Sequence, residues 1–67
     1  MKLSARNVLK GKVVQVKKGV TTANVKIDIG GAVITATITV DAVKELKLKA
    51  GDRAVAIIKA SEVIVGK

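Results

Sequence analysis

Two stretches of strict alternation on either side of Gly30-Gly31 constrain the fold of this chain more than any other feature. In residues 24–29 (NVKIDI) every second side chain is apolar, and the same period of two resumes after the glycines in residues 32–40 (AVITATITV). This period is typical of half-buried strands, and two glycines can supply the positive-φ positions of a tight turn. The sequence therefore predicts a β-hairpin whose isoleucines face inward.

The remaining segments predict one helix and three further strands. Residues 8–17 are rich in valine, but their alternation changes phase near Gly11, which predicts a long first strand with a bulge or bend there. Asp41 is expected to cap a short helix through residues 42–48, and residues 53–59 and 62–65 are predicted to form the last two strands. The expected fold class is all-β: a small OB-like Greek-key barrel of five strands, with one short helix between strands 3 and 4.

Length and composition predict one domain, residues 1–67, that associates with copies of itself. The chain has 67 residues, and its hydrophobic share of 49% includes no Phe, Tyr or Trp. A core of small β-branched side chains has little volume per residue, and a domain of this size is only marginally stable alone. We therefore expect an oligomer. The initiator Met and the five-strand set also favour a separate small protein over a fragment of a larger one.

Charge and missing residue types narrow the function. Thirteen Lys plus Arg against five Asp plus Glu give a formal charge of +8, which predicts anionic partners. The sequence contains no His or Cys, and its five carboxylates are dispersed, so neither a nucleophile–base pair nor a transition-metal cluster can be assigned. We expect no enzyme activity. The start of the chain lacks the apolar run of a secretory signal and no segment is apolar enough to cross a bilayer, so the expected location is cytoplasmic, away from membranes.

Two short motifs carry most of the functional information: SARN at residues 4–7 and KAS at residues 59–61. Together with the Gly-interrupted first strand and the spacing of the predicted elements, they resemble the molbindins, small Mop-type molybdate-binding proteins with a TOBE/Mop domain. The resemblance covers nearly the whole chain. It implies cytoplasmic binding of molybdate, and also of tungstate, for storage, buffering or homeostasis. It also implies subunits that exchange strands in dimers, and a hexamer built as a trimer of dimers with sites between subunits.

The resemblance also implies a set of binding residues. Oxyanion pockets need hydroxyls, amide N–H groups and cations, because the oxygens of the anion accept hydrogen bonds, and no protein atom would coordinate the metal itself. The expected molybdate-binding residues are Ser4, Ala5, Arg6, Thr39, Ala42, Lys59, Ala60 and Ser61. Related modules carry a hydroxyl at the position of Ala42, so any contact from Ala42 must come from its backbone. A second anion site is the alternative to an ordinary hairpin loop at Gly19, Val20 and Thr22.

Two other functions remain open at this point. The first is a nucleic-acid-binding OB module, which the charge and fold class favour. Single strands are usually held by stacking on aromatic side chains, which are lacking here, so nucleic acid would bind only by non-specific electrostatics. The second is a structural oligomer, or a regulatory domain cut out of a larger protein.

Overall fold

Four strands of one antiparallel sheet and a seven-residue helix form most of residues 6–67, the part of the chain that the computed structural model describes. The sheet has the strand order β3-β2-β1-β4. The elements are, in chain order, β1 (Asn7–Lys18), β2 (Thr22–Asp28), β3 (Val33–Thr39), α1 (Val40–Leu46), β4 (Arg53–Ile58) and a short 3-10 helix at Ala60–Glu62.

The predicted hairpin is confirmed as β2 and β3. Their register pairs Asp28 with Val33, and the Ile29 amide donates to the carbonyl oxygen of Ala32 at 3.0 Å. Gly30 and Gly31 lie between them with φ angles of 88° and 92°. Positive φ at both central residues produces a turn whose twist matches that of the strands, so the glycine pair fixes the register of the hairpin.

Strand β1 bends because it pairs with two different strands. Its first half pairs with β4, from Asn7 opposite Ile58 to Lys12 opposite Arg53, and its second half pairs with β2. The register shifts between Val13 and Gln15. The prediction of a bulge near Gly11 was therefore wrong by a few residues, because the irregularity lies in the part of β1 that pairs with β2.

The helix follows β3 directly, and the predicted cap was wrong. Thr39, the last residue of β3, is the N-cap, and its hydroxyl accepts a hydrogen bond from the Ala42 amide at 3.0 Å. Asp41 lies inside the first turn instead, where a carboxylate interacts favourably with the helix dipole. The helix ends at Lys47, which adopts a left-handed conformation with a φ of 53°.

A small core lies inside the curl of the sheet, beneath the helix. Val13 of β1, Val25 of β2 and Val43 of α1 are the largest fully buried side chains. Ala23, Ile27 and Ala56 complete the buried set, and Ile34 and Ile38 of β3 pack against it while partly exposed. With so few buried side chains, the core is small even for a chain of this length.

The predicted fifth strand does not form within residues 6–67. Residues 60–62 form the 3-10 helix, and residues 63–65 pair with no strand of the sheet. The side chains of Ile64 and Val65 are 94% and 89% exposed, because a strand needs a partner and the single chain presents none to this segment. The sheet is consequently curled but open, with β3 and β4 as its edges.

The open side of the sheet is an apolar groove of about 760 Å³. Its walls come from both sheet edges and from the end of the helix, and include Ile34, Ile38, Leu46, Leu48 and Ile58. Leu46 is 65% exposed, although it lies only three residues after buried Val43 in the helix. The groove is therefore an apolar surface that the single chain leaves uncovered.

Candidate functional site

The structure separates the predicted binding residues into two groups at opposite ends of β1. The first group, here the β4-end cluster, is Arg6, Lys59, Ala60 and Ser61. The second group, the helix-end cluster, is Gly19, Val20, Thr22, Thr39 and Ala42. The predicted residues Ser4 and Ala5 lie outside the described residues.

The β4-end cluster forms where the start of β1 meets the end of β4. Asn7 is paired with Ile58, and its side-chain amide donates to the Ile58 carbonyl oxygen at 3.2 Å. Arg6 immediately precedes Asn7 and Lys59 immediately follows Ile58, so both cations lie at the same corner of the sheet, and both are exposed. Asn7 thus fixes the junction of the two strands, and Arg6 and Lys59 supply its positive charge.

The KAS segment turns sharply after β4. Lys59 is extended, with φ −64° and ψ 138°, and it is the N-cap of the 3-10 helix at Ala60–Glu62. The Glu62 amide donates to the Lys59 carbonyl oxygen at 2.9 Å. The first amides of a helix have no acceptor within it, so Ala60 and Ser61 can offer N–H groups beside the Ser61 hydroxyl. This corner can therefore donate several hydrogen bonds, although the Glu62 carboxylate one residue further would oppose an anion.

The helix-end cluster is built around a pair of threonines. Thr22 and Thr39 are directly opposite each other across β2 and β3, and both are exposed. Because the Thr39 oxygen accepts from the Ala42 amide, the Thr39 hydroxyl proton remains able to donate to a ligand. The same bond occupies the amide through which Ala42 was expected to act.

The β1–β2 turn is tied to this cluster. The Gly19 amide donates to the Thr22 carbonyl oxygen at 2.8 Å, and the Val40 amide donates to the Thr21 carbonyl oxygen at 2.9 Å. The side chain of Val20 is 97% exposed at the tip of the turn. The loop predicted as a second anion site is therefore a neighbour of Thr39 in the same chain, and its Gly19 amide is already used within the turn.

The two clusters lie at opposite ends of β1 along the sheet. The 12 residues of β1 separate them along the chain, a path of roughly 36 Å at about 3.3 Å per residue. A site that includes both Lys59 and Thr39 would have to join residues from the two ends of this strand.

Sequence reasoning missed a third group of charged residues. Lys10, Lys12 and Arg53 lie around a cleft of about 730 Å³ on the outer side of the sheet, together with Asp28. Lys12 pairs with Asp28 on one side and with Arg53 on the other. The alternation of residues 8–12 places Lys10 and Lys12 on one face of their strand, and the alternation of residues 53–57 does the same for Arg53. Sequence alone did not show that these two strands pair, so it did not show that the three cations share a face.

Within residues 6–67, no three acidic side chains come together in a way that would hold a metal ion. The only regular helices in that range are short, and none has the length and apolarity needed to cross a membrane.

Comparison with known proteins identifies a family for nearly the whole chain. The profile of the TOBE domain matches residues 3–65. The probable molybdenum-pterin-binding protein of Haemophilus influenzae is 57% identical over 67 residues, which cover 98% of this chain and 97% of that protein. Molybdenum-pterin-binding protein 1 of Clostridium pasteurianum is 52% identical over 66 residues, with 97% of each protein covered.

Solved structures give the same result for the fold. A molybdate-binding protein from Sporomusa ovata matches with a TM-score of 0.95 at 40% identity over the full length of both chains. The cytoplasmic molybdate-binding protein ModG, in a form with molybdate bound, matches with a TM-score of 0.91 at 46% identity, over 96% of this chain and 46% of that one. These similarities confirm the predicted OB-like class, a curled antiparallel sheet with one short helix.

Proposed function

This chain belongs to the TOBE domain family, and we propose that it binds molybdate as an intact oxyanion without catalysing a reaction. The observation that carries the proposal is the full-length match to the Sporomusa ovata molybdate-binding protein, at a TM-score of 0.95 and 40% identity. The Haemophilus and Clostridium relatives are named for molybdenum-pterin binding, which also supports a ligand that contains molybdenum.

The donors of the two clusters suit such a ligand. Molybdate is a tetrahedral dianion whose oxygens all accept hydrogen bonds, so its pocket needs cations, hydroxyls and N–H groups. The β4-end cluster offers the charges of Arg6 and Lys59 and the Ser61 hydroxyl, and the helix-end cluster offers the Thr39 hydroxyl. Hydrogen bonds to charged groups each contribute about 1.5–3 kcal/mol, so a few of them can hold a dianion against its hydration.

The site we propose lies between subunits, with the β4-end cluster of one chain facing the helix-end cluster of another. The position of the clusters at opposite ends of the 12-residue β1 supports this arrangement, because two chains packed together can bring opposite ends of the strand into contact. The resemblance to the molbindins implied sites between subunits. In the structure Arg6 and Lys59 lie at one corner of the same chain. The partner would therefore contribute Thr39 and the start of the helix around Ala42.

The exposed apolar surface supports an oligomer, for which we propose a hexamer built as a trimer of dimers. Leu46, Ile64 and Val65 are 65%, 94% and 89% exposed in the single chain, and burying such a side chain contributes roughly 1.5–3 kcal/mol. We propose that residues 63–65 of a neighbouring chain fill the apolar groove of about 760 Å³ between the sheet edges as the missing fifth strand. Strand exchange of this kind would close the barrel and bring two chains together at the site.

The cellular role we propose is storage or buffering of molybdate in the cytoplasm, with tungstate as a second ligand of similar shape. The cytoplasmic location of ModG supports the same location for this chain. Gly19, Val20 and Thr22 remain a candidate second anion site, since the exposed turn at Val20 could meet its equivalents from other chains near a symmetry axis.

The direct test is to equilibrate the purified protein with molybdate, remove free anion and count molybdenum atoms per assembly by elemental analysis. The same measurement in excess sulfate tests selectivity, because sulfate is smaller and would leave some donors of a rigid pocket without a bond. We expect molybdenum to be retained in a fixed ratio to protein chains, with or without sulfate. Protein that retains no molybdenum, or loses it to an equal concentration of sulfate, would refute a dedicated site.

A further inference from the structure

The outer side of strands β1 and β4 forms a continuous surface, of which the proposed oxyanion site uses only the end at Arg6 and Lys59. Along both strands, side chains alternate between the core and solvent. Leu9, Ala54 and Ala56 are turned inward and at least partly buried. The outward and exposed residues are Val8, Lys10 and Lys12 on β1 and Arg53, Val55 and Ile57 on β4. We call this surface the β1–β4 face.

Three apolar side chains lie at the centre of the β1–β4 face, with Lys10 beside them. Val8 lies directly opposite Ile57. Two positions further along β1, Lys10 lies opposite Val55, and this is the next pair on the same face. The exposed fractions of Val8, Val55 and Ile57 are 50%, 42% and 40%. Side chains at opposite and diagonal positions of an antiparallel pair contact one another, so these three form one patch rather than scattered apolar spots.

Both ends of the face are basic. Lys12 and Arg53 are paired at one end, and Arg6 and Lys59 flank the Asn7–Ile58 pair at the other. The two cation pairs are six positions apart on each strand, or roughly 20 Å. Asp28 lies beside Lys12 on β2, and its Oδ1 accepts a hydrogen bond from the Gly30 amide at 2.9 Å. Asp52 directly precedes Arg53, and Glu62 follows Lys59 by three residues.

We infer that the β1–β4 face is a docking surface for a partner protein whose contact patch carries apolar side chains between carboxylates. An apolar centre with a charged rim is the usual anatomy of a protein interface. Opposite charges at the rim guide the partner into place and fix its orientation, so cations at both ends select an acidic partner.

The charges argue against a second copy of this chain as the occupant. A two-fold contact brings the same patch of both subunits together. Because Lys12 and Arg53 occupy one end and Arg6 and Lys59 the other, cations would face cations whether the opposed strands ran parallel or antiparallel. Such contacts cost affinity, whereas carboxylates of a different protein would relieve the repulsion.

The apolar centre argues against nucleic acid. A nucleic-acid surface follows the phosphate backbone with cations and holds single-stranded bases on aromatic side chains. Here three aliphatic side chains interrupt the cations, and the sequence has no aromatic residue. This inference goes beyond the proposed function, because Lys12, Arg53 and the apolar centre have no part in the oxyanion site.

The test uses a fluorescent peptide of about seven residues, the extended length that spans roughly 20 Å, with glutamates at both ends and leucines between them. A second peptide, used for comparison, has serines in place of the leucines. Fluorescence anisotropy with the assembled protein should give an affinity for the leucine peptide about tenfold or more above that for the serine peptide. The double variant Lys12→Glu/Arg53→Glu should weaken binding of the leucine peptide by about tenfold or more.

The matched control is Lys17→Glu/Lys26→Glu, which changes the charge equally at exposed residues outside the face. It should leave peptide affinity within about threefold of wild type, since surface charges this far away are largely screened. Molybdenum content is measured for both double variants and should be equal between them. A loss of peptide binding with retained molybdenum therefore separates this inference from the proposed function.

Several results would overturn the inference. Equal affinity for the two peptides would mean simple adsorption of polyanions, and no measurable binding of the leucine peptide would mean that the face docks no such segment. A thymidine oligonucleotide of equal charge that binds more tightly, and loses binding in Lys12→Glu/Arg53→Glu, would make this a nucleic-acid surface. Dissociation of the assembly in Ile57→Ser, seen by sedimentation, would make the face a contact between copies of the chain.

Discussion

Gly11 of β1 lies so close to Asp28 of β2 that a Cβ atom added to the glycine would stand 2.5 Å from the Asp28 carbonyl oxygen. The same atom would be 2.7 Å from the Cγ2 atom of Ile27, a buried side chain of the core. Neither neighbour can move freely, because one is backbone in a paired strand and the other is packed. The absence of a side chain at this position therefore lets β1 approach the end of β2 closely.

Gly11→Ala should lower the free energy of unfolding by about 1–3 kcal/mol, the usual cost of overpacking a core. Chemical denaturation followed by far-ultraviolet circular dichroism measures the change. Gly66→Ala is the matched control, because a Cβ at Gly66 would meet no atom within 4 Å. Equal stability of the two variants would show that β1 and β2 can separate slightly at no cost.

Thr39 is expected to have two separable roles, as helix cap and as ligand. Thr39→Val removes the acceptor for the Ala42 amide and should destabilise the fold by about 1 kcal/mol. Thr39→Asp keeps an acceptor at the cap but places a carboxylate beside a bound anion, so it should retain stability and lose molybdate affinity. Thermal melts and titration calorimetry on both variants separate the roles.

Thr39→Ser is the conservative control and should retain both stability and binding, since it keeps the hydroxyl. Unchanged molybdate affinity in Thr39→Asp would remove the helix-end cluster from the proposed site. The same result would leave the capping role intact.

Lys59→Ala should weaken molybdate binding without unfolding the protein, because Lys59 is exposed and follows the last residue of β4. The lost charge-assisted hydrogen bond corresponds to about 1.5–3 kcal/mol, or roughly 10- to 150-fold in affinity. Lys47→Ala is the control, an exposed lysine at the end of the helix. Calorimetric titrations of the two variants should differ, and indistinguishable affinities would contradict a ligand role for Lys59.

Ile64→Asp should prevent assembly while leaving the single-chain fold intact, because Ile64 is 94% exposed in the single chain. If the site needs two chains, the variant also loses stabilisation by molybdate, which for wild type is about 2.7 kcal/mol per site at a hundredfold excess over the dissociation constant. Sedimentation and melting with and without molybdate report both effects. Ala50→Asp adds the same charge in an exposed turn and should behave as wild type. A monomeric Ile64→Asp protein that molybdate still stabilises would place the whole site in one chain.

Sequence patterns predicted local structure better than pairing. The hairpin was predictable because Gly30, Gly31 and the flanking alternation act over a few residues. The cap was not, because Thr39 and Asp41 are both good caps, and the choice depended on where β3 ended. The position of the bulge depended on which strands flank β1, a relationship between distant segments that alternation within β1 does not contain.

The same distinction applies to the candidate site. The resemblance placed Arg6 and Lys59 in one set of binding residues, which stays a prediction, and the Asn7–Ile58 pair brings the two residues to one corner of the sheet. No sequence pattern indicated that Thr39 lies at the far end of β1, or that its hydroxyl already binds the Ala42 amide. The fifth strand was predicted from its apolar residues, but a strand also needs a partner, and composition does not say which chain supplies it.

The long separation between Asn7 and Ile58, 51 positions along the chain, also sets the order in which the sheet can form. Hairpins such as β2–β3 close locally in roughly 1–10 μs, whereas distant pairings are slower because a long loop must close first. The β1–β4 pairing should therefore form last, and until then the first half of β1 is an open edge that strands of other newly made chains can reach. Pulsed hydrogen exchange during refolding should protect the amides of β2 and β3 before those of residues 7–12. In that case, we expect the proposed exchange of strands between subunits to occur in molecules whose β4 has not yet paired with β1. Assembly would then be a late step of folding rather than an encounter between finished monomers.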